Sequence, residues 1–395
     1  MTAFFSIERH GPGLARAGVI TTPHGEIRTP AFTPVGTKAT VKGLVPEMIR
    51  AVGGQVVLAN AYHLYLQPGP AIVDEAGGLA AFMNWNGPTI TDSGGFQVLS
   101  LGVGFKKILA MDVSGMQSDD VIAEGKDRLA HVDDDGVTFK SHLDGSLHRF
   151  TPEVSMQVQH ELGADIIMAF DECTTLLNTR GYQERSLART HAWALRCLAE
   201  HDRLSAERTH RPPQALFAVI QGAQYEDLRR QAARALGALP FAGFGIGGAL
   251  EKAQLGDIVR WVSEELPEER PRHLLGIGEP DDVFDAVESG ADTFDCVAPS
   301  RNGRNGTVFH PGGRFHITNA VYRRDFRPID EDCDCSTCAN YTRAYVHHLF
   351  RAKEMLAGTL ATIHNERWII RLIDRIRQSI IDGDFAELKA EFLAR

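Results

Sequence analysis

Cys333, Cys335 and Cys338 form a C-x-C-x-x-C cluster, with His364 as a fourth donor farther along the chain. Three thiolates and one imidazole complete a tetrahedral zinc site and leave no position for water, so the set predicts a structural ion rather than a catalytic one. The competing reading is a disulfide with a spare thiol, which a reducing compartment disfavours. His347 and His348 compete for the fourth position. They are adjacent within 343–351, a stretch that reads as helix, where neighbours point in different directions.

A second set of residues carries polar groups on short Gly-bearing motifs. Asp92-Ser93-Gly94-Gly95-Phe96-Gln97 follows a strand-like run, as do Met168-Ala-Phe-Asp171-Glu172-Cys173 and Ile220-Gln221-Gly222. Each alone reads as a turn. Together they offer carboxylate acceptors for ring N–H and exocyclic amine groups, and amide donors for a carbonyl, which suits the edge of a purine. Gly243-Phe-Gly-Ile-Gly-Gly248 looks like a dinucleotide fingerprint, but it does not open the first βαβ unit. Its glycines are better placed to clear space for a bound ring. In Thr293-Phe-Asp295-Cys-Val, an acid ends a further apolar run. A carboxylate beside an anomeric carbon can attack it, splitting glycosidic exchange into two inversions through a ribosyl ester. Asp92 is the natural partner for the proton that the departing base gains and the arriving base loses. Cys173 and Cys296 read as core or pocket lining rather than nucleophiles.

Eight apolar, β-branched runs ending in Gly, Asp or Asn must position these groups: 31–37, 56–60, 89–92, 165–171, 216–221, 243–247, 273–276 and 293–297. Their alternation with helical segments predicts a closed (β/α)8 TIM barrel, in which residues at the C-terminal ends of strands face the active site. Asp92, Asp171, Gln221, Gly248 and Asp295 all fall at or just beyond such ends. Residues 105–128 fit neither strand nor helix periodicity and read as a surface excursion, followed by a hairpin over 137–148. The chain divides into 1–312 for the barrel and its pocket, 313–364 for an inserted zinc-binding subdomain, and 365–395 for the final barrel helix region.

The chain has 395 residues, 43% hydrophobic and 23% charged, enough to bury a large core. Its net charge of -10 argues by itself against a nucleic-acid partner. Distribution counters the sum: Arg301, Arg304, Arg314, Arg323, Arg324 and Arg327 face a single acid, Asp325, over 301–327. That stripe is either a solvated basic face or a track for phosphates. No apolar run reaches membrane-spanning length, and 1–20 mixes charges into its apolar residues, so a cytoplasmic location is expected.

Taken together and in order, the Asp92–Gln97 motif, Met168 to Cys173, Phe294 to Val297 with Arg301-Asn-Gly-Arg304-Asn-Gly306, and the Cys3His set resemble bacterial tRNA-guanine transglycosylases, or queuine tRNA-ribosyltransferases. The resemblance spans most of the chain. It implies that Asp295 is the nucleophile and Asp92 the general acid/base, that Ser93, Asp171, Gln221 and Gly248 recognise the base, and that Arg301 and Arg304 contact RNA. It also implies a structural Zn2+ per subunit on Cys333, Cys335, Cys338 and His364, a homodimer, and no redox or nucleotide cofactor. The expected substrate is guanine at the first anticodon position of tRNAs for Asp, Asn, His and Tyr, with G-U-N anticodons. The incoming base is a 7-deazaguanine, either 7-aminomethyl-7-deazaguanine (preQ1) or queuine. The choice stays open because the family's Gly-Gly-Leu-Ala-Val-Gly-Glu stands here as Gly247-Gly248-Ala249-Leu250-Glu251-Lys252-Ala253, without the last Glu. Two rivals are a catalytically silent RNA-binding subunit of the same fold, which the presence of both Asp92 and Asp295 disfavours, and a barrel hydrolase with an open zinc site, which the closed ligand set disfavours.

Overall fold

The computed structural model describes residues 3–98, 130–248 and 252–394, so the expected excursion over 105–128 lies outside the described residues. The eight runs read from the chain each overlap one strand of a single parallel sheet. In chain order these are Ala31–Pro34, Val57–Ala59, Thr89–Thr91, Ile166–Met168, Ala215–Ile220, Gly243–Ile246, Arg272–Leu274 and Thr293–Cys296. Each pairs in parallel with its neighbour in sequence, and the eighth returns to the first through Asp295 opposite Thr33. A parallel bridge between Val35 and Leu58 joins the first strand to the second and closes the ring.

Closure buries both faces of every strand, so these short segments do not alternate between buried and exposed positions, and polar residues among them, such as Arg272 and His273, are buried as well. On the fifth strand, Phe217 and Val219 turn inward to meet Ile90, Ile166 and Met168. Leu216, Ala218 and Ile220 turn outward into the core beneath the surrounding helices.

The lower end of the barrel is plugged by an antiparallel sheet of Phe5–His10, Arg16–Thr22 and Gly25–Thr29, for which the chain reading has no counterpart. Phe5, Ile20 and Ile27 from that sheet join the inward-facing barrel residues. Arg16, buried, fastens it through a bidentate pair with buried Asp292, at 2.8 and 2.7 Å. The expected hairpin over 137–148 is present as Val137–Lys140 paired with Leu147–Phe150, and Ala130–Val132 adds a third strand.

Beyond the eighth strand come a short helix, Ala298–Arg304, and a hairpin of Thr307–His310 with Gly313–His316. Helices Ser336–Asn340 and Arg343–Ala352 follow, then the long helix Met355–Asp382. The long helix runs without a break through position 364. Its Arg377 donates to Thr29 O at 2.6 Å, so it also touches the plug. Among the described residues, no helix is long and apolar enough to cross a membrane.

Candidate active site and metal cluster

The carboxyl end of the third strand delivers Asp92, half-buried. Its Oδ1 accepts from the Ala61 amide at 2.8 Å, and its Oδ2 accepts from Gln97 Nε2 at 2.7 Å and from the Asn60 side chain. Burial pushes the Asp92 carboxyl up to about 6; these three donors oppose the rise, and the charge on Asp295 reinforces it. That last effect requires the two acids to be near each other, although they are distant in sequence.

Asp295 ends the eighth strand, buried. Its Oδ1 accepts from the Gly276 amide at 2.8 Å and lies 3.2 Å from His273 Nε2. His273, wholly buried on the seventh strand, has Nδ1 2.8 Å from Thr293 Oγ1. A neutral imidazole with its proton on Nε2 satisfies both contacts. Both neighbours converge on Oδ1, and among the described residues Oδ2 has no donor.

A third acid follows the fourth strand. Asp171, buried, accepts from Ser93 Oγ at 2.9 Å and from Gln221 Nε2 at 2.7 Å. Burial raises its pKa above the usual carboxylate value while these two donors pull it back. Gly248 follows the sixth strand at φ +99°, and a Cβ there would lie 2.6 Å from Gln221 Oε1. Only glycine lets that backbone approach the amide. Thus the structure gathers Asp92, Ser93, Asp171, Gln221, Gly248 and Asp295 at the upper rim of the barrel. Ala249, Leu250 and Glu251 lie outside the described residues. Burial pushes the Cys296 thiol up to about 11 and raises Cys173 as well, so neither is an available thiolate near neutral pH.

Arg301 and Arg304 sit on Ala298–Arg304, directly after Asp295, with Arg301 exposed and Arg304 half-buried. This helix lies tightly on the long one: a Cβ on Gly303 would meet the Thr362 backbone at 2.8 Å. The basic stripe is partly neutralised, because Arg314 pairs with Glu279, and Asp325 is shared by Arg327 and Arg343. Arg323 and Arg324 remain exposed.

Cys333, Cys335, Cys338 and His364 bring their donor atoms within 4.8 Å of one another. Cys338 Sγ lies 3.3 Å from His364 Nδ1 and Cys335 Sγ 3.9 Å. His364 Nε2 donates to Phe309 O at 2.7 Å, which leaves Nδ1 bare towards the thiols. The side chains therefore fit a tetrahedral ion with three sulfurs and one nitrogen. His347 is turned away, with Nδ1 2.8 Å from Ile317 O.

Reading the chain alone singles out neither His273, Asn60 nor Arg229 as part of a site. His273 opens a run that reads as strand, and its only signal is a polar residue one place before a strand end on a closed barrel. Asn60 carries a comparable signal, as a side-chain donor at the end of the second run.

A family model described as Queuine tRNA-ribosyltransferase matches residues 12–395. The chain is 45% identical over 398 residues to the queuine tRNA-ribosyltransferase of Herpetosiphon aurantiacus, covering all of this chain and 93% of that one. It is 46% identical over 405 residues to the protein of the same name from Roseiflexus sp., across the whole of both. It is likewise 46% identical over 385 residues to that of Moorella thermoacetica, with 96% and 94% covered. With both acids, the strand-end polar groups and the Cys3His cluster in place, and with similarity running along the whole length, the chain belongs to the queuine tRNA-ribosyltransferase family.

Proposed function

We propose that the protein exchanges guanine at the first anticodon position of tRNAs for Asp, Asn, His and Tyr for a 7-deazaguanine, through a ribosyl ester on Asp295. The observation that carries this reading is the pair Asp92 and Asp295, with the charge of Asp295 helping to raise Asp92 and with one oxygen of Asp295 held and the other open. In the first half-reaction Oδ2 bonds to the ribose C1′ as the C1′–N bond to guanine breaks, and Asp92 gives its proton to the departing ring nitrogen. In the second, the incoming base loses a proton to Asp92 and its nitrogen displaces the Asp295 carboxylate, restoring a glycosidic bond. Gly276 and His273 keep Oδ1 turned away from the ribose.

Asp171 accepts from the N–H and amine edge of the base, Gln221 and the Gly248 amide donate to its carbonyl, and Ser93 orients Asp171. Arg301 and Arg304 contact the RNA around the anticodon, on a helix that starts where the nucleophile's strand stops. Zinc on Cys333, Cys335, Cys338 and His364, when bound, supplies a closed structural clamp. We take 313–364 as the zinc-binding subdomain, with its last ligand on a helix that continues into the final barrel region. We also infer a homodimer, in which one subunit performs the chemistry and the other helps hold the tRNA, and a cytoplasmic location.

The test is incubation with unmodified tRNA and radiolabelled guanine, followed by counting label in RNA. The wild type incorporates label and forms a denaturation-resistant protein–RNA adduct. Asp295→Ala forms no adduct yet keeps its zinc. No incorporation by the wild type would instead favour a silent RNA-binding subunit. Competition between preQ1 and queuine for incorporation assigns the incoming base.

A further inference from the structure

Arg229 lies on the helix Glu226–Gly237, which follows the fifth barrel strand, and its side chain is completely buried. Among the described residues no carboxylate pairs with it. Its Nε donates to Ala223 O, and its Nη1 donates to both Ile220 O and Gly247 O, all at 2.8 Å. A cation taken out of water without a counter-ion carries a large desolvation penalty, which these three carbonyl dipoles must offset. Burial pushes the guanidinium down to about 9, which still leaves it charged at neutral pH.

The carbonyls it grips are informative. Ile220 immediately precedes Gln221, and Gly247 immediately precedes Gly248. One nitrogen therefore ties together two adjacent strands at the residues just before the two groups that face the base. Among the described residues Nη2 has no partner, and neither does Gln221 Oε1, although both are buried. A Cβ built on Gly248 would lie 2.6 Å from Gln221 Oε1 and 3.3 Å from Arg229 Nη2. The two unpaired atoms are thus no farther apart than the sum of those distances, a span that a single water can bridge.

We propose that Arg229 is a positioning residue for base selection. It holds the Gln221 amide with its carbonyl towards the guanidinium and its NH2 towards Asp171 and the base, and it fixes the spacing between Gln221 and the Gly248 backbone. An amide can turn over at little cost unless its surroundings distinguish its two ends. With a buried cation on one side and the Asp171 carboxylate on the other, only one orientation is favourable. The pocket then presents a donor, which accepts a 6-oxopurine and opposes the amine of a 6-aminopurine. This inference rests on the guanine-exchange reading above.

The test uses Arg229→Lys in the full-length protein, assayed by guanine exchange into tRNA with adenine as the competing base. Loss of a buried hydrogen-bonding partner predicts a KM for guanine raised about tenfold, while the KM for tRNA changes less than about twofold. Adenine inhibits relatively better than it does in the wild type. Since Arg229 acts through Gln221, adding Arg229→Lys to Gln221→Met changes the guanine KM by less than about twofold, whereas a merely structural role gives independent, multiplying effects. If the lysine variant does not fold, the wild type still provides the answer: with 15N-labelled arginine, the protected guanidinium signal of Arg229 shifts when guanine is added. An unchanged guanine KM in a folded variant, an equal rise for tRNA, or a guanidinium signal indifferent to guanine overturns the role of Arg229 alone. Absence of guanine exchange by the wild type overturns the functional reading and this inference with it.

Discussion

A carboxyl group that must release a proton in one half-reaction and take one up in the next works best with a pKa near the operating pH. Asp92 reaches about 6 through burial, helped by Asp295 and restrained by Asn60, Ala61 and Gln97. In the proposed mechanism, expulsion of guanine needs Asp92 protonated, and the protonated fraction declines as pH rises past that value. The kcat/KM for tRNA should therefore fall as pH is raised through about 6, measured by guanine exchange between pH 5 and 8. A profile flat over that range would contradict the assignment. Asp92→Asn should remove the inflection and slow exchange by about 10²–10⁴-fold, the usual contribution of a positioned acid or base.

The elements act by placing strand ends. Parallel strands carry Asp92, Asp171, Gln221, Gly248 and Asp295 to one rim, because the residue that leaves each strand leaves it on the same side of the barrel. Gly248→Ala tests this spacing. At φ +99°, with a Cβ 2.6 Å from Gln221 Oε1, the substitution costs about 1–3 kcal/mol of backbone strain and displaces the amide. The KM for guanine should rise while zinc content stays constant, as read by exchange kinetics and metal analysis. At the opposite end, Asp292→Ala strips the partner from buried Arg16 and Arg272, the latter through its backbone amide at 2.7 Å. Leaving a buried charge uncompensated should cost about 3–5 kcal/mol in a denaturant titration.

On the scale of the whole molecule, the helix Met355–Asp382 links distant parts. His364 near its start faces the three thiols, Asn365 beside it accepts from the Phe309 amide at 3.0 Å, and Arg377 near its end reaches Thr29 in the plug. Zinc at the cluster would therefore stiffen the surface that carries Arg301 and Arg304 as well as its own neighbourhood. His364→Ala should lower both zinc content and melting temperature. Its KM for tRNA should rise more than its KM for guanine, because the barrel rim proposed to read the base is built without those ligands. Equal effects on both substrates would place the cluster's influence elsewhere.

How far the sequence reaches follows from the range of each interaction. The eight strands were legible because closure demands apolar residues on both faces of short segments, a local signal. The Cys3His cluster was legible because three soft thiols and an imidazole form a metal-type donor set, and the structure brings them together. Asp92, Asp171, Gln221, Gly248 and Asp295 stood out as polar or glycine residues where such strands end. The plug sheet escaped notice, since its short antiparallel strands gain their meaning only from the barrel interior that Phe5, Ile20 and Ile27 fill. His273 and Arg229 escaped too: one reads as a strand residue, and the other as one of two adjacent arginines on a polar helix. What the sequence by itself determined was the inventory of reactive groups and the repeating unit that carries them. Only the tertiary structure decided which oxygen of Asp295 is free, what raises Asp92, and which strands Arg229 ties together. Those properties depend on burial and distance between residues far apart in the chain, and no local pattern encodes them.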